Sequence, residues 1–271
     1  MDRHTWDGFK DELRRQNMSE NTIRAYLSAL RQFFRIYPEL TAANLRLYKI
    51  YLLDHYKPQT INLRIQALNS YLEYIGWKDG RIMRVKIQQK GFLDHAISEG
   101  DYEYLKSRLL RDKKYLYYFL IRFMAATGAR VSEVVQFTVE DVRAGYKDVC
   151  SKEDKVRRVY IPDLLQKDAL RWLEEIERER GYIFLNPSGA RISTGGIRKQ
   201  LKILAVRYQL DEQVVYPHSF RHLFARNFIE HCDDISLLSN LLGHESLETT
   251  RIYLKRSSTE QKSIINEVVD W

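Results

Sequence analysis

The stretch His218-Ser219-Phe220-Arg221-His222 carries two imidazoles and a guanidinium at the start of a helical pattern. It is followed by Leu242-Gly243-His244, and Tyr253 lies nine residues after that last histidine. On a helix, His218 and Arg221 are three residues apart and share one face. Arginine offers a planar fork of donors that matches phosphate oxygens, and histidine titrates near neutral pH. With a phenol added, these groups provide what phosphoryl transfer to a tyrosine requires.

A second arginine follows an apolar helical run further upstream, in Thr127-Gly128-Ala129-Arg130-Val131-Ser132-Glu133. Glycine commonly ends a helix because it adopts the left-handed backbone conformation without strain. We therefore expect Arg130 to lie between the end of one helix, at Gly128, and the start of another, near Ser132. Such a junction projects a side chain from a rigid base, so Arg130 is a candidate partner of Arg221.

Zinc is the competing interpretation of the histidines. His218 and His222 are four residues apart, which is the spacing of two metal ligands on one helix face. His231, Cys232 or His244 would have to complete such a site. No glutamate lies between the two histidines, so the zinc-protease pattern is missing, and Arg221 between them would repel a cation. We therefore expect neither a metal nor another cofactor.

The basic residues of the chain are concentrated at its N-terminal end. The 271 residues have a net charge of +8, which favours a polyanionic partner. Residues 1–92 contain 16 Lys and Arg against 9 Asp and Glu, whereas residues 93–271 contain 28 against 27. The first third thus carries nearly all of the excess charge. The plain alternative is a solvated basic surface without a partner.

Cysteine usage and hydropathy indicate the compartment. Two cysteines, Cys150 and Cys232, are too few for a disulfide framework, which fits a reducing environment. No apolar run is long enough to span a membrane, and the N-terminus lacks the pattern of a signal peptide. We therefore expect a soluble, cytoplasmic protein.

Hydrophobic periodicity predicts a mainly α chain in two domains. Over residues 1–76, apolar positions recur at helical spacing in four short segments, which begin near Trp6, Ser19, Thr41 and Pro58. Four such helices form a small independent domain, which we place at 1–86, followed by a basic linker at 87–94. The linker is either a solvated connector or a strap that runs along phosphates.

The second predicted domain, 95–271, is mostly helical with a small antiparallel β-sheet. The β-favouring runs on either side of Ser151-Lys152-Glu153-Asp154-Lys155 predict a β-hairpin over 145–161 with lysines at its tip. A further short strand is expected at Tyr182-Ile183-Phe184-Leu185. Helices are predicted at 99–110, 114–127 and 162–180, from Ser193 onward, and at 218–231, 234–242, 246–254 and 258–269.

The three motifs resemble those of the tyrosine recombinases of the phage integrase family. Residues 127–133 match the first arginine box of that family, 218–222 match the second, and 242–244 with Tyr253 match the third. The match covers the second domain, and the basic bundle is similar to the family's SAM-like core-binding domain. We expect no further domain before the bundle, and on that expectation the chain looks more like the simple Xer-type recombinases than like integrases with an arm-binding domain. A phage or transposon integrase stays open.

The resemblance implies a role for each motif residue. Arg130 and Arg221 would hold the scissile phosphate, His218 would accept or donate a proton, and His244 would hydrogen-bond the phosphate. Tyr253 would attack the phosphorus and form a 3′-phosphotyrosyl bond. A 5′ hydroxyl of a partner duplex would then attack that bond, so that strands exchange through a Holliday junction without ATP.

Two further roles are implied outside these motif residues. Glu133 corresponds to an acid that orders the family's site. The family also uses a lysine on a β-hairpin as general acid to the leaving 5′ oxygen. Alignment of its usual Gly-Lys-Gly-Asn-Lys run with residues 151–155 favours Lys152. The glycines are lost here, so Lys155 stays open.

The implied partners are duplex DNA, other copies of the chain in a tetramer on DNA, and accessory DNA-bending proteins. The segment 258–269 is expected to dock on a neighbouring protomer, although docking on its own domain stays open.

The alternative functions are a type IB topoisomerase, which rejoins the same strand, and a DNA-binding regulator without catalysis. The side chains assigned to DNA contact are Arg81, Arg84, Lys86, Lys90, Arg198, Lys199 and Lys202.

Overall fold

The structure is a computed structural model that describes residues 4–86, 96–150, 156–243, 249–250, 266 and 269. The chain divides into two compact units, Met1–Gln89 and Lys90–Trp271, and each has its own hydrophobic core. The predicted fold class, mainly α with a small antiparallel sheet, is confirmed. The predicted domain boundaries at 86 and 94 stay a prediction, because residues 87–95 lie outside the described part.

The first unit contains the four predicted helices, and local capping explains where they begin. Ser19 caps the second helix by accepting a hydrogen bond from the N–H of Thr22, and Thr41 caps the third in the same way. Pro58 is the first residue of the fourth helix, where its missing N–H costs nothing. The helices are α1 (His4–Arg15), α2 (Glu20–Ile36), α3 (Ala42–His55) and α4 (Pro58–Tyr74).

Aromatic side chains fill the core of this unit. Phe9, Phe33 and Tyr48 are completely buried, and Phe33 packs edge-to-face against Tyr48 with ring centroids 5.2 Å apart. The Tyr48 hydroxyl donates to Oε1 of Gln32 at 2.8 Å, and the Gln32 amide donates to the Tyr56 hydroxyl at 2.7 Å. The buried amide is thus satisfied at both ends, which is the condition for placing a polar group in a core.

Residues 81–86, here called the basic strap, are held on α4 by two asparagine side chains. Asn69 accepts from the N–H of Ile82 and donates to its carbonyl, both at 2.9 Å. Asn62, two helical turns earlier, makes the same pair of bonds with Val85 at 2.8 and 2.9 Å. Ile82 is buried. The strap's exposed residues include its three cations, Arg81, Arg84 and Lys86.

In its described residues, the second unit consists of helices and a β-hairpin. The hairpin consists of β1 (Tyr146–Cys150) and β2 (Val156–Tyr160), antiparallel with Val149 opposite Arg157. The predicted hairpin is therefore confirmed, while its tip lies outside the described residues. The helices that the structure describes are α5 (Glu99–Arg111), α6 (Tyr115–Thr127), α7 (Val131–Val134), α8 (Val139–Ala144), α9 (Asp163–Glu175), α10 (Thr194–Arg207), α11 (Pro217–His231) and α12 (Ile235–Leu242).

Helix α6 is the central helix of this unit, as its apolar sequence predicts. It packs against α5, α9 and α11. Phe119 stacks on Trp172 of α9 with ring centroids 4.6 Å apart, and Phe123 meets Phe184 edge-to-face at 5.6 Å. Although α6 is strongly apolar, none of the described helices has the length and hydropathy needed to cross a membrane.

Two predicted elements differ in the structure. The helix expected to reach Arg180 ends at Glu175, because Glu177 takes a left-handed φ of 53°. The expected strand 182–185 forms only isolated bridges, since its two ends pair with different segments, Tyr182 with Thr138 and Leu185 with Arg191. The β-favouring residues Ile183 and Phe184 are buried in the core, but they do not form a continuous β-ladder. The predicted helices 246–254 and 258–269 fall almost entirely outside the described residues.

The asparagine contacts of the basic strap predict a local change in hydrogen exchange. Asn69→Ala removes the acceptor of the Ile82 N–H, so that amide should exchange about fivefold faster, given about 1 kcal/mol per hydrogen bond. The Val85 amide, still held by Asn62, should change little. The measurement is exchange followed by NMR, with Asn21→Ala, an exposed asparagine on α2, as control. Unchanged protection at Ile82 would show that Asn69 does not hold the strap.

Candidate active site

The C-terminal end of α12 is the meeting point of three arginines. Gly243 ends this helix with a left-handed φ of 62°. The last carbonyls of a helix lack partners within it, and they carry partial negative charge from the helix dipole. Three consecutive carbonyls here each accept from a different arginine: Leu241 from Arg157 at 3.1 Å, Leu242 from Arg221 at 2.6 Å, and Gly243 from Arg130 at 2.8 Å.

Arg221 connects three helices. It lies on α11 and is only 3% exposed. One of its terminal nitrogens donates to the carbonyl of Leu242, and the other donates to the carbonyl of Gly128 at 2.6 Å. Gly128 ends α6 with a left-handed φ of 61°. The buried guanidinium therefore fixes the ends of α6 and α12 to each other.

Arg130 lies at the junction that the sequence predicts, between α6 and the short helix α7. Glu133, three residues later, anchors it twice. One carboxylate oxygen accepts from the backbone N–H of Arg130 at 2.7 Å, and the other accepts from its guanidinium at 3.1 Å. The Arg130 side chain is 35% exposed, against 13% for Glu133. The Arg130 side chain is thus partly exposed, while Glu133 in the first turn of α7 holds both its backbone N–H and its guanidinium in place.

Arg157 on β2 is a member of this cluster that the sequence analysis missed. It donates to Glu133 at 2.6 Å as well as to the carbonyl of Leu241. Burial lowers the pKa of the Arg157 guanidinium; the charge of Glu133 opposes this effect and that of Arg130 adds to it. Strand alternation was the available signal, because Arg157 lies on the same strand face as the buried Val159.

Two histidines on α11 lie beside the arginines, with ring centroids 6.5 Å apart. Desolvation lowers the pKa of His218, and the charges of Arg221, Arg198 and Arg130 lower it further. Burial lowers the pKa of His222 to about 4, with smaller contributions from His218 and Arg221. Near neutral pH the His218 ring is therefore uncharged, exposed to solvent and able to accept a proton.

The structure brings four of the predicted site residues together: Arg130, Glu133, His218 and Arg221. On α10, the three predicted DNA contacts Arg198, Lys199 and Lys202 are exposed. Lys90, Lys152, His244 and Tyr253 lie outside the described residues, so their placement stays a prediction. Within the described ranges, no group of three His, Cys, Asp or Glu side chains is placed to hold a metal.

This arrangement is suited to binding an anion. Three guanidiniums meet at one helix end, and Glu133 is the carboxylate bonded to two of them. The cluster therefore carries excess positive charge, and its arginines are held by fixed backbone carbonyls. Donors positioned in advance stabilise developing negative charge without reorganising. Phosphate oxygens are the natural match for the arginine fork.

Both units match known protein families. Residues 97–260 match the phage integrase family, and residues 6–79 match the N-terminal SAM-like domain of phage integrases. The chain is 28% identical to the tyrosine recombinase XerA of Pyrococcus furiosus over 263 residues, which cover 95% of this chain and 91% of that protein.

Solved structures share the fold. The integrase of transposon Tn1549 in complex with circular intermediate DNA is 14% identical, with a TM-score of 0.73 over 97% of this chain and 99% of that one. The XerH site-specific recombinase bound to its difH substrate is 20% identical, with a TM-score of 0.71 over 94% and 82%. At these identities, the two structures establish the fold alone. The family match spans more than half of the sequence, and the chain therefore belongs to the phage integrase family, the family of the tyrosine recombinases.

Proposed function

We propose that this tyrosine recombinase cleaves and rejoins duplex DNA at specific sites through a covalent bond between Tyr253 and a 3′ phosphate. The observation that carries the proposal is the meeting of Arg130 and Arg221 at the adjacent carbonyls of Leu242 and Gly243. His244 is the next residue, and Tyr253 follows nine residues later. The proposed nucleophile thus lies in the segment that follows the two carbonyls to which these arginines donate.

The arginines act on the charge of the scissile phosphate. When a phenol oxygen attacks the phosphorus, negative charge builds up on the non-bridging oxygens. Arg130 and Arg221 donate to these oxygens, and His244 adds a further hydrogen bond. Their supporting contacts, to Glu133 and to backbone carbonyls, are formed before DNA binds, which is the condition for electrostatic catalysis.

The proton of the attacking phenol passes to His218. The neutral ring, whose pKa is held below its usual value, is in the acceptor form near neutral pH. The new bond joins the Tyr253 oxygen to phosphorus, and the bond from phosphorus to the 5′ oxygen breaks. Lys152, or Lys155, gives a proton to that leaving oxygen. A 5′ hydroxyl from a partner duplex then reverses these steps, and two such exchanges pass through a Holliday junction.

The exposed basic residues of each unit bind the phosphates of the DNA. In the first unit these are the cations of the basic strap, and in the second they are on α10. Contacts of this kind supply affinity and register, and they weaken steeply with salt. We further propose that the chain acts in the cytoplasm as a tetramer on DNA, with segment 258–269 docked on a neighbouring protomer and DNA-bending proteins assisting. Lys90 extends the first set of contacts.

A relaxing enzyme and a catalytically inactive regulator are the competing functions. Family membership and recombinase relatives over nearly the whole chain support recombination. A topoisomerase would rejoin the same strand, and a regulator would leave no covalent intermediate. Strand exchange between two paired duplexes, assayed beside relaxation of a supercoiled plasmid, separates the three.

Loss of the Tyr253 hydroxyl should abolish covalent attachment. The substrate is a duplex nicked near the cleavage site, so that the released strand diffuses away and the adduct accumulates. Wild-type protein should form an adduct that peptide mapping assigns to Tyr253, whereas Tyr253→Phe should form none and keep its DNA affinity. Tyr160→Phe, an exposed tyrosine on β2, is the matched control. Equal adduct from Tyr253→Phe would contradict the proposal.

A sulfur leaving group should identify the hairpin lysine. A thiolate leaves without protonation, so replacing the bridging 5′ oxygen by sulfur removes the need for a general acid. On the oxygen substrate, Lys152→Ala should lower the cleavage rate constant about 10²–10⁴-fold, and on the sulfur substrate it should cleave at nearly the wild-type rate. Lys155→Ala should behave like wild type on both. The reverse pattern would assign the role to Lys155, and no rescue in either variant would exclude both.

The charges around His218 predict the pH dependence of cleavage. A lowered pKa keeps the ring in its acceptor form, so the single-turnover rate constant should fall only as pH drops through a value below the usual 6.5. Arg198→Gln removes one positive neighbour, which should raise this pKa and move the acid limb to higher pH. Arg207→Gln, further along α10 and paired with Asp112, is the control. A rate that rises as pH falls would instead make His218 a proton donor.

A further inference from the structure

Arg157 forms hydrogen bonds to two parts of the candidate active site, the Glu133 carboxylate and the C-terminal end of α12. Its side chain is 10% exposed, and its two terminal nitrogens donate to Glu133 at 2.6 Å and to the carbonyl of Leu241 at 3.1 Å. Its third nitrogen, Nε, is buried and has no hydrogen-bond partner among the described residues. Two hydrogen bonds to groups on different elements therefore determine where the guanidinium lies.

The Glu133 carboxylate links Arg157 to Arg130. One of its oxygens accepts from both the Arg157 guanidinium and the Arg130 backbone N–H, at 2.6 and 2.7 Å. The other oxygen accepts from the Arg130 guanidinium. Since the carboxylate is rigid and planar, a donor that fixes one oxygen also fixes the direction in which the other holds Arg130.

The backbone of Gly243 packs closely against Arg157. A Cβ atom added at Gly243 would collide with Nε and Cδ of the Arg157 side chain. Glycine is thus favoured here for two reasons, its left-handed φ of 62° and the side chain that crosses it. Arg157 therefore also fixes the backbone at Gly243, where α12 ends.

We propose that Arg157 is a positioning residue that fixes the Glu133 carboxylate and the end of α12 to each other, and thereby aims Arg130 at the scissile phosphate. The inference rests on the proposed cleavage by Tyr253. Arg157 acts through Glu133, because its own charge is already paired with that carboxylate. Its loss leaves Glu133 with a single arginine and the carbonyl of Leu241 with no arginine donor.

The test compares substitutions at two neighbouring arginines of β2. Arg158 is the matched control, because it lies on the opposite, exposed face and pairs with Asp148 at 2.8 and 3.0 Å. The readouts are the single-turnover rate constant of adduct formation at saturating protein and, separately, the DNA affinity. Misplacement of a catalytic group by about 1 Å costs on the order of 100-fold. Arg157→Met should therefore lose about 100-fold in rate constant at unchanged affinity, while Arg158→Met should match wild type.

A second pair of variants separates positioning from a general loss of stability. Arg157→Lys keeps a cation that reaches one acceptor at a time, so it should recover part of the rate constant. Combining Arg157→Met with Glu133→Gln should be no slower than the slower single variant, because both changes break one linkage. Thermal denaturation identifies any variant that fails to fold, in which case Arg157→Lys alone decides.

Each result has a distinct meaning. Arg157→Met and Arg157→Lys cleaving at the wild-type rate would overturn the inference, provided that wild-type protein forms the Tyr253 adduct. Multiplied losses in the double variant would also overturn it, since they would show that Arg157 acts apart from Glu133. Weakened affinity at an unchanged rate would make Arg157 a DNA contact instead. Absence of the adduct from wild-type protein would refute the proposed function itself.

Discussion

The geometry of the candidate active site depends on the hydrogen bonds that satisfy the carbonyls at the C-terminal end of α12. This helix has eight residues, and the carbonyls of its last two residues and of the capping Gly243 accept from arginines that come from the start of α7, from β2 and from α11. An unpartnered carbonyl buried at a helix end would be costly. Here that requirement is met by Arg130 and Arg221, which we propose bind the scissile phosphate, and by Arg157, which we propose positions Arg130. The hydrogen bonds that satisfy the end of the helix therefore also bring the arginines of the site together.

The same contacts account for the electrostatics of the site. Arginines placed near one another repel, and Arg130 accordingly contributes to the lowered pKa of both Arg157 and His218. Glu133 offsets part of this repulsion, and helix-end carbonyls with partial negative charge offset more. The remaining positive potential favours an anion. Desolvation lowers the pKa of His218 and the positive charges of the arginines lower it further, so its ring stays uncharged. The same arginines can therefore favour both phosphate binding and proton acceptance.

Sequence patterns predicted most of the described helices, the hairpin and most of the proposed site residues, but not the contacts between them. Periodicity located α6 and the hairpin, and Gly128 located the junction that carries Arg130. Arg157 could not be told from Arg158 by residue type, and only strand alternation separates them. The acceptors Leu241 and Leu242 were undetectable in principle, because they act through backbone carbonyls. The early end of α9 depends on Glu177 in a left-handed conformation, which residue type did not signal.

The most direct measurement is a structure of the Tyr253→Phe variant bound to an uncleaved DNA site. We expect guanidinium nitrogens of Arg130 and Arg221 within hydrogen-bond distance of one phosphate, while Arg157 still donates to Glu133 and to the carbonyl of Leu241. A scissile phosphate bound by Arg157, or one that neither Arg130 nor Arg221 contacts, would refute the roles proposed for these arginines.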